Sequence, residues 1–469
     1  MIRGYAEQPS PYAGGHMTLR VSTDAPRFRV EFHRYETGMT LTDKTPWLPG
    51  EHAPPHLPAH DWGRPGTGLR GEPLRPWSGY PVRAPAEPGV YVAVLVEGDE
   101  SGSDRTDPDR TTPDGREDRA LFVVRPQRPA ARILYKLPLF TYHAYNLIDG
   151  RPYDPERLIG HWCLYTMPDQ VPEPGVSLHR PGGGTGGTPW DVHNFDPYDP
   201  TPRQTFVHWD ARFIAWAARR GYAVDYCTDL DLHREGAALL EPYRLMVSAG
   251  HDEYWSDAMR AAVAEHVAAG RNAAFFGGNT CWWRVVFHDP LTFSRVGVWH
   301  EEGPPENELI GVSFRNGGER DRDDHPEPVG YRVQHADHWV YEGTGLRDGD
   351  VFGLAENLVG YECDGADFDR AAAPPYAPTG ADGTPAGFTI LAVGDARASG
   401  WGFGNGAATM GLYEAAAPAT RPQAPGAPAT RPHARGGIVF NAATTDWPRG
   451  LATCAAVERI TANVLDRLS

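Results

Sequence analysis

A short apolar run, Leu245, Met246 and Val247, ends at Gly250 and then delivers His251, Asp252, Glu253, Tyr254 and Trp255 at one point of the chain. Placing His, Asp and Glu together is costly unless something pairs them, which makes this run a functional-site candidate. His251 and Glu253 stand two residues apart, so in extended backbone they point the same way, toward one centre; the plain alternative is a loop salt bridge. A second candidate is Cys281 in the run GGNTCWW, a thiolate nucleophile with His251 as its base. The adjoining Trp282 and Trp283 would crowd a substrate, so a buried structural thiol is the competing reading. No P-loop, helix-borne metal motif or GxSxG elbow is present.

Strand ends position these residues. Ile133 to Tyr135 reads as a first strand opening onto Tyr142, His143, Tyr145 and Asn146. Phe206, Trp209, Phe213, Trp216 and Ala217 recur at helical spacing, and Tyr222 to Tyr226 gives the next strand. Arg244 to Ser248 is the third strand. Ser256 is the N-cap of a helix running to Ala269, with Met259, Ala262, Val263, His266 and Val267 on one face. Asn272 to Phe276 is the fourth strand and runs into Gly277, Gly278 and Asn279. Gly437 to Phe440 leads to Asn441, Thr444 and Asp446, and a closing helix, Ala455 to Leu468, follows. This alternation predicts an α/β fold with a doubly wound parallel sheet, whose carboxyl edge collects the polar strand ends.

Before it, residues 1–127 predict an immunoglobulin-like β-sandwich, from period-2 strands at Thr18 to Thr23, Phe28 to Tyr35, Val90 to Val96 and Ala120 to Val124. The acidic segment Glu97 to Arg119 has almost no apolar residue and reads as a disordered hairpin extension. The second domain, 128–469, carries irregular insertions at about 171–203, 302–413 and 415–435. The middle one reads as a β-rich subregion, and the last as a Pro/Ala linker with APATRP twice.

Composition narrows the class. With 44 Lys and Arg against 61 Asp and Glu the net charge is −17, which argues against nucleic acid as a partner. No apolar run approaches a membrane span and no secretory signal is visible, so a soluble, cytoplasmic protein is expected. Five cysteines without CxxC spacing fit a reducing compartment.

Several runs carry a resemblance: TYHAYN from Thr141, FIAWAARRGYAVDYCTDLDLH from Phe213, SAGHDEYWS from Ser248, FFGGNTCWW from Phe275 and GGIVFNAATTDWPRGL from Gly436. With VSTDAPRFRVEFHRY from Val21, they resemble the large (β) subunit family of N,N-dimethylformamidase over nearly the whole chain. That resemblance implies a glutamine-amidotransferase-like α/β domain with a mononuclear ferric iron held by two tyrosines and a glutamate. Position by position, it places a metal ligand at Tyr145 and another at Glu253. It places active-site residues at His251, Asn279 and Glu362, the last in GYECD. The family's second tyrosine belongs to an RPY segment; here the run reads Arg180, Pro181, Gly182, and the third ligand is unidentified. Tyr198 and His193, in the enlarged neighbourhood 182–200, are substitutes to weigh. The resemblance also implies homo-oligomers and a small partner subunit.

Phenolate and carboxylate oxygens suit ferric iron, and an open position polarises an amide carbonyl or acidifies water. His251 then shuttles a proton to the departing amine. The leading expectation is thus a hydrolase of a small amide C–N bond. The alternatives are a non-catalytic protein binding a saccharide or other small ligand, and a thiol hydrolase built on Cys281.

Overall fold

The structure, a computed structural model, describes residues 2–52, 77–98, 117–146, 164, 175–186, 198–319, 327–399, 401–416 and 435–469. Most of the acidic extension, most of the Pro/Ala linker and much of the 171–203 insertion, His193 included, lie outside the described residues. The chain forms two units. One comprises Met1–Ala130, Leu137–Leu230 and Val285–Val296; the other comprises Ala131–Lys136, Asp231–Arg284 and Gly297–Ser469.

In the first unit, one sheet runs in the order Ile2–Ala6, His16–Thr23, Ser78–Arg83. A second sheet runs Met39–Lys44, Arg27–Tyr35, Gly89–Gly98, Glu117–Val124, with Leu48–Pro49 also paired to Arg27–Tyr35. Their pairings are antiparallel. Alternation along Arg27–Tyr35 sends Phe28, Val30 and Phe32 inward, where they join Leu19, Val21, Leu95 and Phe122 in one apolar core. The four strands read from periodicity are all present. Met39–Lys44, exposed along its whole length, carried no such signal.

The first unit also holds the helix Asp210–Arg219, with Phe213, Trp216 and Ala217 buried as their spacing requires. It starts later than the apolar spacing indicates, because Phe206 lies in a turn whose carbonyl accepts the Ala211 N–H.

The main sheet of the second unit runs Ile133–Leu137, Leu245–His251, Asn272–Gly278, Ile438–Asn441, Ala407–Glu414, Thr389–Asp395, Tyr331–Val333, Val351–Phe352. Neighbours among the first four are parallel, and the first and third strands read from sequence lie side by side, as flavodoxin-like order requires. Every later pairing is antiparallel. The expected parallel sheet is found in its first four strands, and the strands of the β-rich insertion continue the same sheet, which is therefore mixed. The reason lies in Thr389–Asp395 and Ala407–Glu414, largely buried strands whose ladder occupies the edge that Ile438–Asn441 would otherwise expose.

Helices cap this unit as their sequences dictate. Ser256 accepts the Met259 N–H at 3.4 Å and starts Asp257–Ala268, which buries Met259, Ala262, Val263, His266 and Val267. The closing helix Ala455–Leu468 buries Val457, Ile460, Val464 and Leu468.

Candidate functional site

The site forms where two parallel strands end together. Gly250 pairs with Gly277 and His251 with Gly278, so Glu253 and Asn279 follow from adjacent strand ends. Gly250 has φ 71°, and Asn279 also takes a left-handed backbone at φ 48°; asparagine tolerates that region better than most residues. Gly278 has no room for a side chain: an added Cβ would stand 2.4 Å from the Glu362 carbonyl oxygen and 2.7 Å from the Thr445 nitrogen. That closeness brings in a third element, the strand Glu362–Gly365. It is tied down by the Thr445 N–H donating to the Glu362 carbonyl at 3.0 Å and the Asp364 N–H donating to the Ala443 carbonyl.

The side chains then converge. His251 Nε2 lies 2.7 Å from Glu362 Oε2 and 3.4 Å from Glu253 Oε2. Asn279 Nδ2 donates to Glu253 Oε1 at 3.0 Å and to Glu362 Oε2 at 3.2 Å. All four residues are at most 3 % exposed. Asn279 Oδ1 is buried and has no hydrogen-bond partner among the described residues, so it remains available to accept from a water or substrate. The His251 ring meets Tyr361 edge-on, with centroids 6.1 Å apart. His251, Glu253, Asn279 and Glu362, separated by up to 111 positions in the chain, thus form one cluster.

Two further carboxylates, Asp364 and Asp252, hold the turns that bear the cluster. Asp364 accepts the Asn279 N–H at 2.9 Å and the Thr280 N–H at 3.3 Å. Burial pushes its carboxyl up to about 8, against those two N–H groups, with Glu306 and Glu362 adding to the rise. On the opposite side, Asp252 accepts from Lys136 Nζ at 2.8 Å, from Ser248 Oγ at 2.6 Å and from Trp255 Nε1 at 3.0 Å. Sequence reasoning passed over Lys136 and Asp364. The first had a signal, a lysine inside the apolar strand ILYKL; the second had one in the alternation of Glu362 and Asp364 along a single strand.

The other candidates have structural duties. Cys281 is fully buried and burial pushes its thiol well above the ordinary range, so little of the nucleophilic thiolate exists there. Asn441 accepts the Ala443 N–H, Thr444 donates to the Leu358 carbonyl, and Asp446 accepts the Tyr361 N–H and pairs with Arg449. These three brace turns. In the first unit, Tyr142 donates to Asp210, and Asn146 Nδ2 donates to the Pro181 carbonyl at 2.7 Å. Tyr145 is 3 % exposed and closes the helix Leu139–Ala144, its N–H donating to the Thr141 carbonyl. Burial holds the neighbouring His143 imidazole down to about 3.

The residues present can be tested against the iron set that the resemblance implies. Glu253 and Tyr145 are there. Gly182 is not merely a shorter residue: its φ is 89°, and a Cβ added to it would stand 2.6 Å from Asn146 Oδ1. A side chain there would strain the left-handed backbone and displace the Asn146 amide, in a turn where the Thr185 and Gly186 N–H groups donate to the Gly182 carbonyl. Tyr198 is half-buried. Among the described residues, no group of three or more His, Cys, Asp or Glu side chains is placed to hold a metal ion. Gly182 itself supplies no side-chain donor of the family's kind.

Comparison with known proteins follows the same residues. Residues 77–461 match the family described as N,N-dimethylformamidase beta subunit-like, C-terminal. The N,N-dimethylformamidase beta subunit of Paracoccus aminophilus is 27 % identical over 232 residues, 43 % of this chain and 29 % of that protein. The protein of the same name from an Alcaligenes species is 28 % identical over 114 residues, 23 % of this chain and 15 % of its own. The matched stretches thus span less than a third of either relative. With the family match covering most of its length, the chain belongs to the N,N-dimethylformamidase beta subunit-like family.

Proposed function

We propose that this protein hydrolyses the C–N bond of a small amide of the formamide type, at the buried cluster of His251, Glu253, Asn279 and Glu362. The observation that carries the reading is one buried imidazole nitrogen, His251 Nε2, with two carboxylates 2.7 and 3.4 Å away. In this scheme the Glu362 carboxylate takes a proton from water, and the oxygen adds to the amide carbonyl carbon. His251 delivers a proton to the amide nitrogen as the C–N bond breaks, leaving a carboxylic acid and an amine. Asn279 keeps both carboxylates oriented through Nδ2 and offers Oδ1 to the attacking water. Glu253 approaches the same imidazole nitrogen, Nε2, at 3.4 Å.

Iron enters this proposal through the resemblance alone, with Tyr145 and Glu253 as its two ligands. Because Gly182 brings no second tyrosine to that set among the described residues, no step is routed through the metal. A partner subunit and homo-oligomerisation belong to the proposal as well, since the relatives are named as beta subunits. The two-sheet module is read as immunoglobulin-like and the second unit as amidotransferase-like on the same basis.

The test is amine release from formamide, N-methylformamide and N,N-dimethylformamide by protein purified without chelator, with its iron content measured in wild type and Tyr145→Phe. Turnover of any of the three supports the reading, and none above the buffer rate contradicts it. Iron at about one per chain, lost in Tyr145→Phe, would place Tyr145 among its ligands.

A further inference from the structure

We infer that Lys136 and Asp252 form a buried positioning pair that sets the geometry of His251 and Glu253; the inference rests on the proposed function of that cluster. Lys136 is 0 % exposed and Asp252 1 % exposed. Lysine is almost never buried so completely unless paired, and a lone charge there would be expensive. The pair is made to close tolerance. Ile133, Leu134 and Tyr135 register against Leu245, Met246 and Val247, which sets Lys136 beside Ser248 on the next strand. Its Nζ lies 2.8 Å from Asp252 Oδ1 and 4.9 Å from the centre of the Trp255 ring. Ser248 Oγ binds the other Asp252 oxygen at 2.6 Å, and Trp255 Nε1 donates to Asp252 Oδ1 at 3.0 Å.

Asp252 sits between His251 and Glu253 in the chain, and its carboxylate engages Lys136 and Trp255 while its neighbours' side chains meet each other. Its carbonyl accepts the Cys281 N–H at 2.9 Å, and the Glu253 carbonyl accepts the Trp283 N–H at 2.9 Å. The turn bearing His251 and Glu253 is thereby fastened to the turn bearing Asn279, and the Asp252 carboxylate is the anchor below. Stability alone does not call for an ion pair here, because well-packed apolar residues serve a core as well or better. Fixing a turn that bears two of the four cluster residues, His251 and Glu253, does call for directed, charge-assisted hydrogen bonds.

The test compares wild type, Lys136→Met, Asp252→Asn and the double variant K136M/D252N. Each is read by thermal melting, by formamide kcat and KM, and by the His251 Cε1–H resonance in histidine-labelled protein, assigned through His251→Gln. The single variants strand one charge and melt lower. The double variant is expected to recover much of the melting temperature, yet to keep a displaced His251 resonance. Its kcat should stay down by about a hundredfold with KM little changed, as a misplacement of about 1 Å produces. A double variant with the native His251 resonance would overturn the inference, leaving the pair as a stability device. The resonance decides the matter even if wild type hydrolyses no formamide, so failure of the positioning role and failure of the proposed reaction are told apart.

Discussion

At the residue scale, two carboxylates compete for one imidazole, and Asn279 keeps them from drifting apart. Glu253 and Glu362 both accept from Asn279 Nδ2 and both approach His251 Nε2. The arrangement sets an imidazole nitrogen and the Glu362 carboxylate 2.7 Å apart, within reach of a proton transfer. Cys281 stands apart from this work. Its buried thiol is pushed up and its backbone only helps the turn, so Cys281→Ala should leave formamide turnover within about twofold of wild type, as expected for a group outside the reaction. A loss of activity at a retained melting temperature would favour the thiol reading over the one proposed. Glu253, His251 and Asn279 were legible in sequence because they sit at the ends of strands with clear apolar signatures. Glu362 was reached only through family resemblance, since its strand is four residues long and lies in a loop-rich stretch without periodicity. Asp364 and Lys136 were not picked out, because their roles depend on partners 84 or more positions distant.

At the element scale, close backbone approach decides what the strand ends can carry. Gly277 packs onto the Gly250 carbonyl, where a Cβ would stand at 2.4 Å, and Gly278 packs onto the Glu362 carbonyl and the Thr445 nitrogen. Backbone on both sides leaves nothing flexible to give way. Gly278→Ala should therefore push the Glu362 strand away from His251, lowering the melting temperature and turnover together. Substitution at the exposed Gly387, where the backbone is not left-handed and an added Cβ meets nothing within 4 Å, serves as a control for replacing a glycine alone. Equal effects at the two sites would show that the close approach is not what matters. Element types were readable from periodicity throughout the parallel part of the sheet. The antiparallel half was legible only in part, at Thr389 to Val393, since Tyr331–Val333 and Val351–Phe352 are too short to show a period and belong to the sheet only through neighbours.

At the scale of the whole molecule, buried titrating groups set opposite limits on the pH range of stability. Burial holds His143 at about 3 and His266 at about 4, below the ordinary 6.5. Their contribution is complete above 6.5 and is lost as pH falls through those lower values. Asp364 runs the other way. Its carboxyl is raised from 3.8 to about 8, so its contribution is complete below 3.8 and is lost as pH rises through 8. Thermal melts from pH 4 to pH 9 should fall at both ends. His266→Gln should lift the acid side, and Asp364→Asn should flatten the decline toward pH 8. An unchanged profile in Asp364→Asn would mean that its carboxyl is already ionised in the folded protein at neutral pH. Among the described residues, no helix is long and apolar enough to cross a membrane.

The central claim is that Glu362, through His251, carries the amide chemistry. It is tested most directly by the rate of amine release from the best formamide substrate, comparing wild type with Glu362→Gln. The variant keeps the size and the hydrogen-bonding reach of the side chain and removes only its ability to take a proton. Turnover should fall by about a hundredfold or more, with the melting temperature held. Full turnover in a folded Glu362→Gln protein would contradict the account.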